Sequence, residues 1–185
     1  MRRLHRAGIV VLAGILLGCG GCLGRMIGEG AEGAMGPKGA YFEEKPAAPS
    51  RNTKVLAGYG RFELGEVRNE VPRHVPAEFL REFPREFAEE LRDSRLARAG
   101  TGKTLVFDVT IIHYEKADPE DNVFGPLEQV IARVRLLDKA SGEVIAEGNA
   151  VGRTGKTVGL GPESKAEGLA KALIRWAEDY WGEKR

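Results

Sequence analysis

Cysteine is nearly absent from this chain. Its 185 residues hold two, Cys19 and Cys22, both close to the N-terminus. No disulfide framework can therefore brace the body of the protein, and a hydrophobic core must hold it. A domain of about 130 residues can do so, burying roughly two-thirds of its unfolded surface. A long apolar run is also missing. A spanning helix needs about 20 apolar residues, and the run Ala7 to Leu17, AGIVVLAGILL, is roughly half that before Gly18 to Gly21 ends it. Net charge is small, +1 overall. Without Arg2, Arg3 and Arg6 the 28 basic side chains fall to 25 against 27 acids. A chain so near neutrality has no long-range field to draw it to nucleic acid, and no nucleic-acid partner is expected.

What stands at the N-terminus is informative. Arg2, Arg3 and Arg6, with no acid among them, precede the apolar run, which is the charged and then hydrophobic order of a signal peptide. The run ends in Leu16-Leu17-Gly18-Cys19. This resembles the bacterial lipobox, with an aliphatic residue three before the cysteine and a small residue one before. The resemblance implies diacylglyceryl transfer to the Cys19 thiol, cleavage between Gly18 and Cys19, and acylation (palmitate) of the new amino group. Two or three acyl chains exceed the two-signal requirement for stable membrane anchoring. Cys22 has no aliphatic residue three positions before it. An ordinary secretory signal with a chance cysteine is the competing reading. Gly20, rather than Asp, follows Cys19, which leans towards the outer membrane.

Three segments are expected: a signal peptide over 1–18, a tether over 19–51, and one α/β domain over 52–182. The tether is rich in Gly, Ala and Pro with no sustained period, and Tyr41 and Phe42 are its only aromatics. As a flexible coil it would reach about 30 Å. In the domain, Val55 to Val67 reads as a strand with Leu56, Gly58, Gly60, Phe62 and Leu64 on one face and room for a helix beside the glycines. Pro76 to Arg95 has helical period through Phe79, Phe83, Phe87 and Leu91, with a break expected at Pro84. Thr104 to Glu115 is a strand with Leu105, Phe107, Val109 and Ile111 inward and His113 ending that face. Leu127 to Asp138 is a strand with Val130, Ala132, Val134 and Leu136 inward. Asp138 to Gly142 has hairpin chemistry. Glu143 to Val151 returns with a small-residue face, and Ser164 to Trp181 is an amphipathic helix with Ser164 and Glu167 as a capping box. The order β-α-β-β-β-α predicts an α+β two-layer sandwich: a mainly antiparallel four-stranded sheet with two helices on one face.

Catalytic patterns are sparse. Ala97 to Thr104 and Ala150 to Thr157 match a loose phosphate-loop pattern, but such a loop needs a strand before it and a helix starting at its lysine. The first has a helix before and a strand after; the second is followed by Val158-Gly-Leu-Gly-Pro162. Of the three histidines, His5 lies in the signal segment, His74 in a connection and His113 on a strand. His113, Glu115 and Asp118 are close in sequence, but alternation and a loop separate them, and a metal site needs three or four converging ligands. Glu86, Glu89, Glu90 and Asp93 read as the solvated face of a helix. No Gly-x-Ser-x-Gly elbow is present, and Ser94, Ser141 and Ser164 read as turn or cap residues. No catalytic, cofactor or metal residue is expected, and the chain is not expected to be an enzyme. The Gly152–Gly161 loop is a candidate partner-binding segment.

Leu105-Val-Phe-Asp-Val-Thr-Ile-Ile, the hairpin from Ala132 to Ala146, the glycine-rich stretch and Leu169-Ala-Lys-Ala-Leu-Ile together resemble an uncharacterised family of bacterial envelope lipoproteins with a domain of unknown function. The likeness is looser to the periplasmic domain of the curli-secretion channel lipoprotein, whose membrane-inserting strands have no counterpart here. The resemblance implies a two-layer α/β domain and supplies no catalytic residues. The expected protein is a lipid-anchored envelope component, held to the membrane through Cys19 and working with other envelope proteins. A small-ligand or polysaccharide-binding module is the alternative.

Overall fold

A computed structural model describes residues 37–49, 53–115, 128–154 and 161–182. Five strands and two helices are present: β1 (Lys38–Lys45), β2 (Tyr59–Asn69), α1 (Ala77–Asp93), a 3-10 turn (Arg95–Arg98), β3 (Lys103–Tyr114), β4 (Gln129–Asp138), β5 (Val144–Arg153) and α2 (Pro162–Tyr180). The sheet order is β1-β5-β4-β3-β2. Strand β2 runs parallel to β3, and the other pairs are antiparallel. A parallel pair needs a long crossover, which α1 supplies. The fold is thus α+β, as expected, but its sheet is mixed and five-stranded rather than antiparallel and four-stranded.

The extra strand comes from the stretch read as tether. In β1 the side chains alternate, with Tyr41 towards α2 and Phe42 63 % exposed. Tyr41 stacks on Trp176 at 5.6 Å between ring centroids, and its hydroxyl donates to Asp179 at 2.5 Å. Trp176 Nε1 donates to Glu43 at 2.9 Å. The inward positions of β1 are Gly39, Tyr41 and Glu43, which do not form the apolar alternation that marks a strand from sequence.

The core lies between one sheet face and the helices. Leu105, Phe107, Val109 and Ile111 of β3 and Val130, Ala132, Val134 and Leu136 of β4 are wholly buried, as the alternation requires. Phe87 meets Phe107 edge-on at 5.2 Å, and Phe79 meets Tyr114 at 5.3 Å. Helix α1 continues unbroken through Pro84, against expectation. A proline inside a helix costs about 3 kcal/mol. Phe79, Phe83 and Phe87 are buried on both sides of it, and each such ring contributes about 2 kcal/mol. Pro84 itself is exposed, so burial of the flanking rings outweighs the lost amide bond.

Two local expectations fail because the strand register is irregular, and others fail beside them. The pairing of β3 with β4 slips between Ile111 and His113. Tyr114 therefore turns inward and His113 is exposed, reversing the simple alternation. The pairing of β2 slips between Tyr59 and Arg61, so Tyr59 and Phe62 are both buried. Leu56 precedes the strand, in a turn whose amide donates to the Tyr180 carbonyl at 3.1 Å. Gly60 packs on the backbone of Thr101 and Gly102, not on a helix. At the start of α2, Gly161 is the N-cap with Pro162 in the first turn. Ser164 is therefore inside the helix and caps nothing.

Close approach to α2 occurs at other glycines. A Cβ on Gly39 would sit 2.2 Å from the Gly168 carbonyl oxygen, and one on Gly152 would sit 2.4 Å from the Lys165 carbonyl oxygen. On Gly168 it would meet the Lys38 carbonyl oxygen at 2.6 Å. Backbone thus lies on backbone, and no side chain fits. Gly168→Val is expected to lower unfolding stability by about 3 kcal/mol, the upper end for overpacking. Urea denaturation measures it; an unchanged midpoint would show that α2 can lift without cost.

Candidate functional site

The residues singled out in the sequence do not converge. Gly18 and Cys19 lie outside the described residues, as do Asp118 and the 155–160 part of the Gly152–Gly161 loop. His74 and His113 are exposed and distant along the chain. Ser94 accepts from the Leu96 amide at 3.1 Å and Ser141 from the Glu143 amide at 3.3 Å, so both serve turns. Among the described residues no three metal-ligating side chains cluster, and no helix is long and apolar enough to cross a membrane. Glu86 is a correction. It is 7 % exposed, so this part of the acidic run is not solvated; it lines an open groove between α1 and α2 with Glu90, Glu163 and Glu167.

Two polar clusters have structural roles. Lys103, the lysine of the first phosphate-loop match, pairs with Asp138 at 3.1 Å. Tyr59 donates to the same carboxylate at 2.9 Å, and the amides of Ala140 and Ser141 donate to its other oxygen. These four donors tie β2, β3 and the β4–β5 turn together. The lysine bond, then the Ser141 amide and Tyr59, hold Asp138 far below the usual carboxylate range. Burial, then Asp138, pushes the Tyr59 phenol up to about 12. Lys165 is 2 % exposed. It bonds the Glu115 carbonyl, pairs with Glu128 and lies 4.3 Å from the Tyr114 ring centroid. Burial pulls its pKa below the lysine norm, with Glu128 opposing. A substrate has no path to an amine so enclosed, and the lysine pins α2 to the β3 and β4 ends.

The sheet face away from the helices carries charge. Arg68 and Arg135 both bond Asp108, Arg68 at 2.9 Å. Burial alone would raise the Asp108 carboxyl; the bonds from Arg135 and Arg68 more than offset this, and it lies below its ordinary value. Thr110 accepts from Arg68 at 3.2 Å, Lys139 pairs with Glu63 at 2.6 Å, and Asn149 donates to Glu44 at 2.7 Å. The register sets Phe42, Asn149, Arg133, Thr110 and Arg68 in one row across all five strands. Asp108 and Thr110 are each 6 % exposed, drier than a partly wet strand face implies, because long arginines lie over them.

Among the described residues β2, at one end of the sheet, pairs with β3 on one side only. Beside its first half runs an open groove of about 300 Å³ lined by Gly60, Phe62, Leu91, Leu96 and Ala97, with Arg61 and Glu63 at its rim. Phe62 packs edge-on against Trp181 at 6.3 Å, and Trp181 donates to the Tyr59 carbonyl at 2.9 Å. The groove thus combines a free strand edge with an apolar floor.

The Asp138 cluster sets a pH dependence. Its depressed folded pKa stabilises the protein above about 3.9, the unfolded value, and that stability is lost as pH falls below it. Tyr59, raised, stabilises below about 10 and loses this as pH rises towards about 12. Asp138→Asn is expected to lower the melting temperature at pH 6 and to shrink its fall between pH 6 and 3. Calorimetry across that range checks it; parallel curves for both proteins would remove Asp138 from the acid limb.

Comparison with known proteins finds no matching family model and no matching curated protein. Among solved structures, a dodecamer of a PelC point variant from Paraburkholderia phytofirmans aligns at TM-score 0.48 and 16% identity, over 75% of this chain and 96% of that one. A second PelC dodecamer from the same organism, in another crystal form, aligns at TM-score 0.46 with the same identity and coverage.

Proposed function

We propose that this chain is a non-enzymatic component of the bacterial envelope, anchored through lipidated Cys19, that assembles with another envelope protein by strand addition at β2. The free edge of β2 beside its apolar groove carries the proposal. Strand addition takes its affinity from main-chain hydrogen bonds and its specificity from pockets for alternate side chains. The edge of β2 beyond Tyr59, whose carbonyl Trp181 already takes, offers the first. The groove over Phe62, Leu91 and Leu96 offers the second. The register slips at Tyr59/Arg61 and Leu64/Val67 and the charges of Arg61, Glu63, Glu66 and Arg68 guard the edge against indiscriminate pairing. A partner must match both.

A photo-crosslinking residue at Glu63 is expected to capture a defined envelope protein in cells, while the same residue at Glu89, exposed on α1, captures none. Equal labelling from both sites, or no adduct at Glu63, would remove the edge as an interface and favour the alternative of a small-ligand or polysaccharide-binding module. The anchor has its own readout: fatty-acid labelling is expected to vanish in Cys19→Ser, and labelling that persists would refute it.

A further inference from the structure

We infer that a basic notch where the chain enters the domain binds the phosphate groups of anionic lipids and seats the domain on the membrane that holds its anchor. The notch is an open concavity of about 410 Å³ lined by Lys38, Gly39, Ala40, Arg153 and Arg175, three cations and no acid. Lys38 and Arg153 are direct cross-strand partners in β1 and β5. Arg153 and Arg175 are exposed. No described carboxylate pairs with either, and Arg175 makes only a 3.4 Å bond to the Gly39 carbonyl. Arg85, Arg92 and Lys171, on the other helix surfaces, all have acidic partners. A concentration of uncompensated guanidinium groups in a concavity fits phosphate oxygens, which such groups bind bidentately.

Two further observations choose the membrane as the source of that phosphate. The notch is at the first residue of the first described strand, and Lys38 follows Cys19 by only 19 positions. Fully extended, they span no more than about 65 Å. The notch is therefore the part of the fold closest along the chain to the anchor. Charge is also divided around α2. The surface towards β1 holds the notch, while the surface towards α1 holds a groove in which Glu86, Glu89, Glu90, Asp93, Glu163 and Glu167 outnumber the single Arg85, and Arg175 lies between the two, bordering Glu90, Asp93 and Glu178 as well. An anionic bilayer would attract the first and repel the second, which gives the domain one orientation. The inference rests on the anchored reading of Cys19, but its test does not.

The processed chain from residue 19, carrying Cys19→Ser so that no acyl chain contributes, is mixed with vesicles of phosphatidylcholine alone or of phosphatidylcholine with anionic phosphatidylglycerol and sedimented. Binding is expected only with the anionic lipid, and to fall as salt rises. Arg153→Gln with Arg175→Gln is expected to lower the partition coefficient about 25-fold, since one basic side chain near an anionic surface is worth about fivefold. Arg133→Gln with Lys139→Gln, which removes two charges from the outer sheet face, is expected to change it less than threefold. Circular dichroism shows that the variants stay folded. Equal binding to both vesicles, or equal losses in the two double variants, would overturn the proposal. So would inorganic phosphate binding at the notch by calorimetry without vesicle binding, which would assign the site to a soluble anion. Fatty-acid labelling of the unaltered chain reports the anchor separately, so either idea can fail alone.

Discussion

How closely α2 can lie against the backbone of β1 and β5 decides the rest of the structure. At Gly39, Gly152 and Gly168 the helix and strand backbones meet with no Cβ between them. That proximity brings Trp176 under Tyr41 and lets its indole reach Glu43. It also permits β1 to be a strand at all. With inward positions occupied by Gly39, Tyr41 and Glu43, β1 has little apolar surface of its own to bury, and it depends on the helix for contacts. A larger residue at any of the three glycines would move the helix outwards and remove the support of the edge strand.

The two faces of the sheet obey different physics. The helix face is dry and packed by rings and aliphatic chains. The opposite face is a lattice of paired charges whose members are mostly half-exposed, and exposed pairs are each worth little. Asp108 is the exception because two arginines cover it. The lattice therefore contributes more to keeping the face soluble and well ordered than to stability. Lys165 lies at the other extreme. It is a buried cation whose desolvation is offset only in part by Glu128, the Glu115 carbonyl and the Tyr114 ring. Such a pair specifies one docking of the helix without adding much net stability.

Much of this was legible in the residues. The inward sets of β3 and β4 follow from period 2, and the hairpin from Asp138 to Gly142 follows from its turn chemistry, with Gly142 at φ 71°. Both helices follow from their apolar stripes. What was not legible has common causes. A single inserted residue reverses a strand's faces, and nothing local to Ile112 or Gly60 announces one. Pro84 is a strong local signal overruled by the three phenylalanines around it. Strand β1 is hidden because its inner face is filled by glycine and amphipathic side chains, which satisfy a helix from elsewhere in the chain and show no period of their own. The β2 groove and the cationic notch share that difficulty: each is assembled from segments far apart in sequence, and no motif links them.

The pairing of β1 with β5 has a consequence for how the molecule comes to be folded. Lys38 faces Arg153, so the first strand to be synthesised waits for nearly the whole domain before it has a neighbour. The β2-α1-β3 unit and the β4–β5 hairpin join segments much closer in sequence and need no such wait. Closing the longest loop is entropically the most demanding step, and contacts of such high sequence separation form slowly. The end of the domain nearest the N-terminus is therefore the last to be fixed, after the rest of the sheet already exists as a template. Until then the outer edge of β5 is open, and any other extended segment competes with β1 for it.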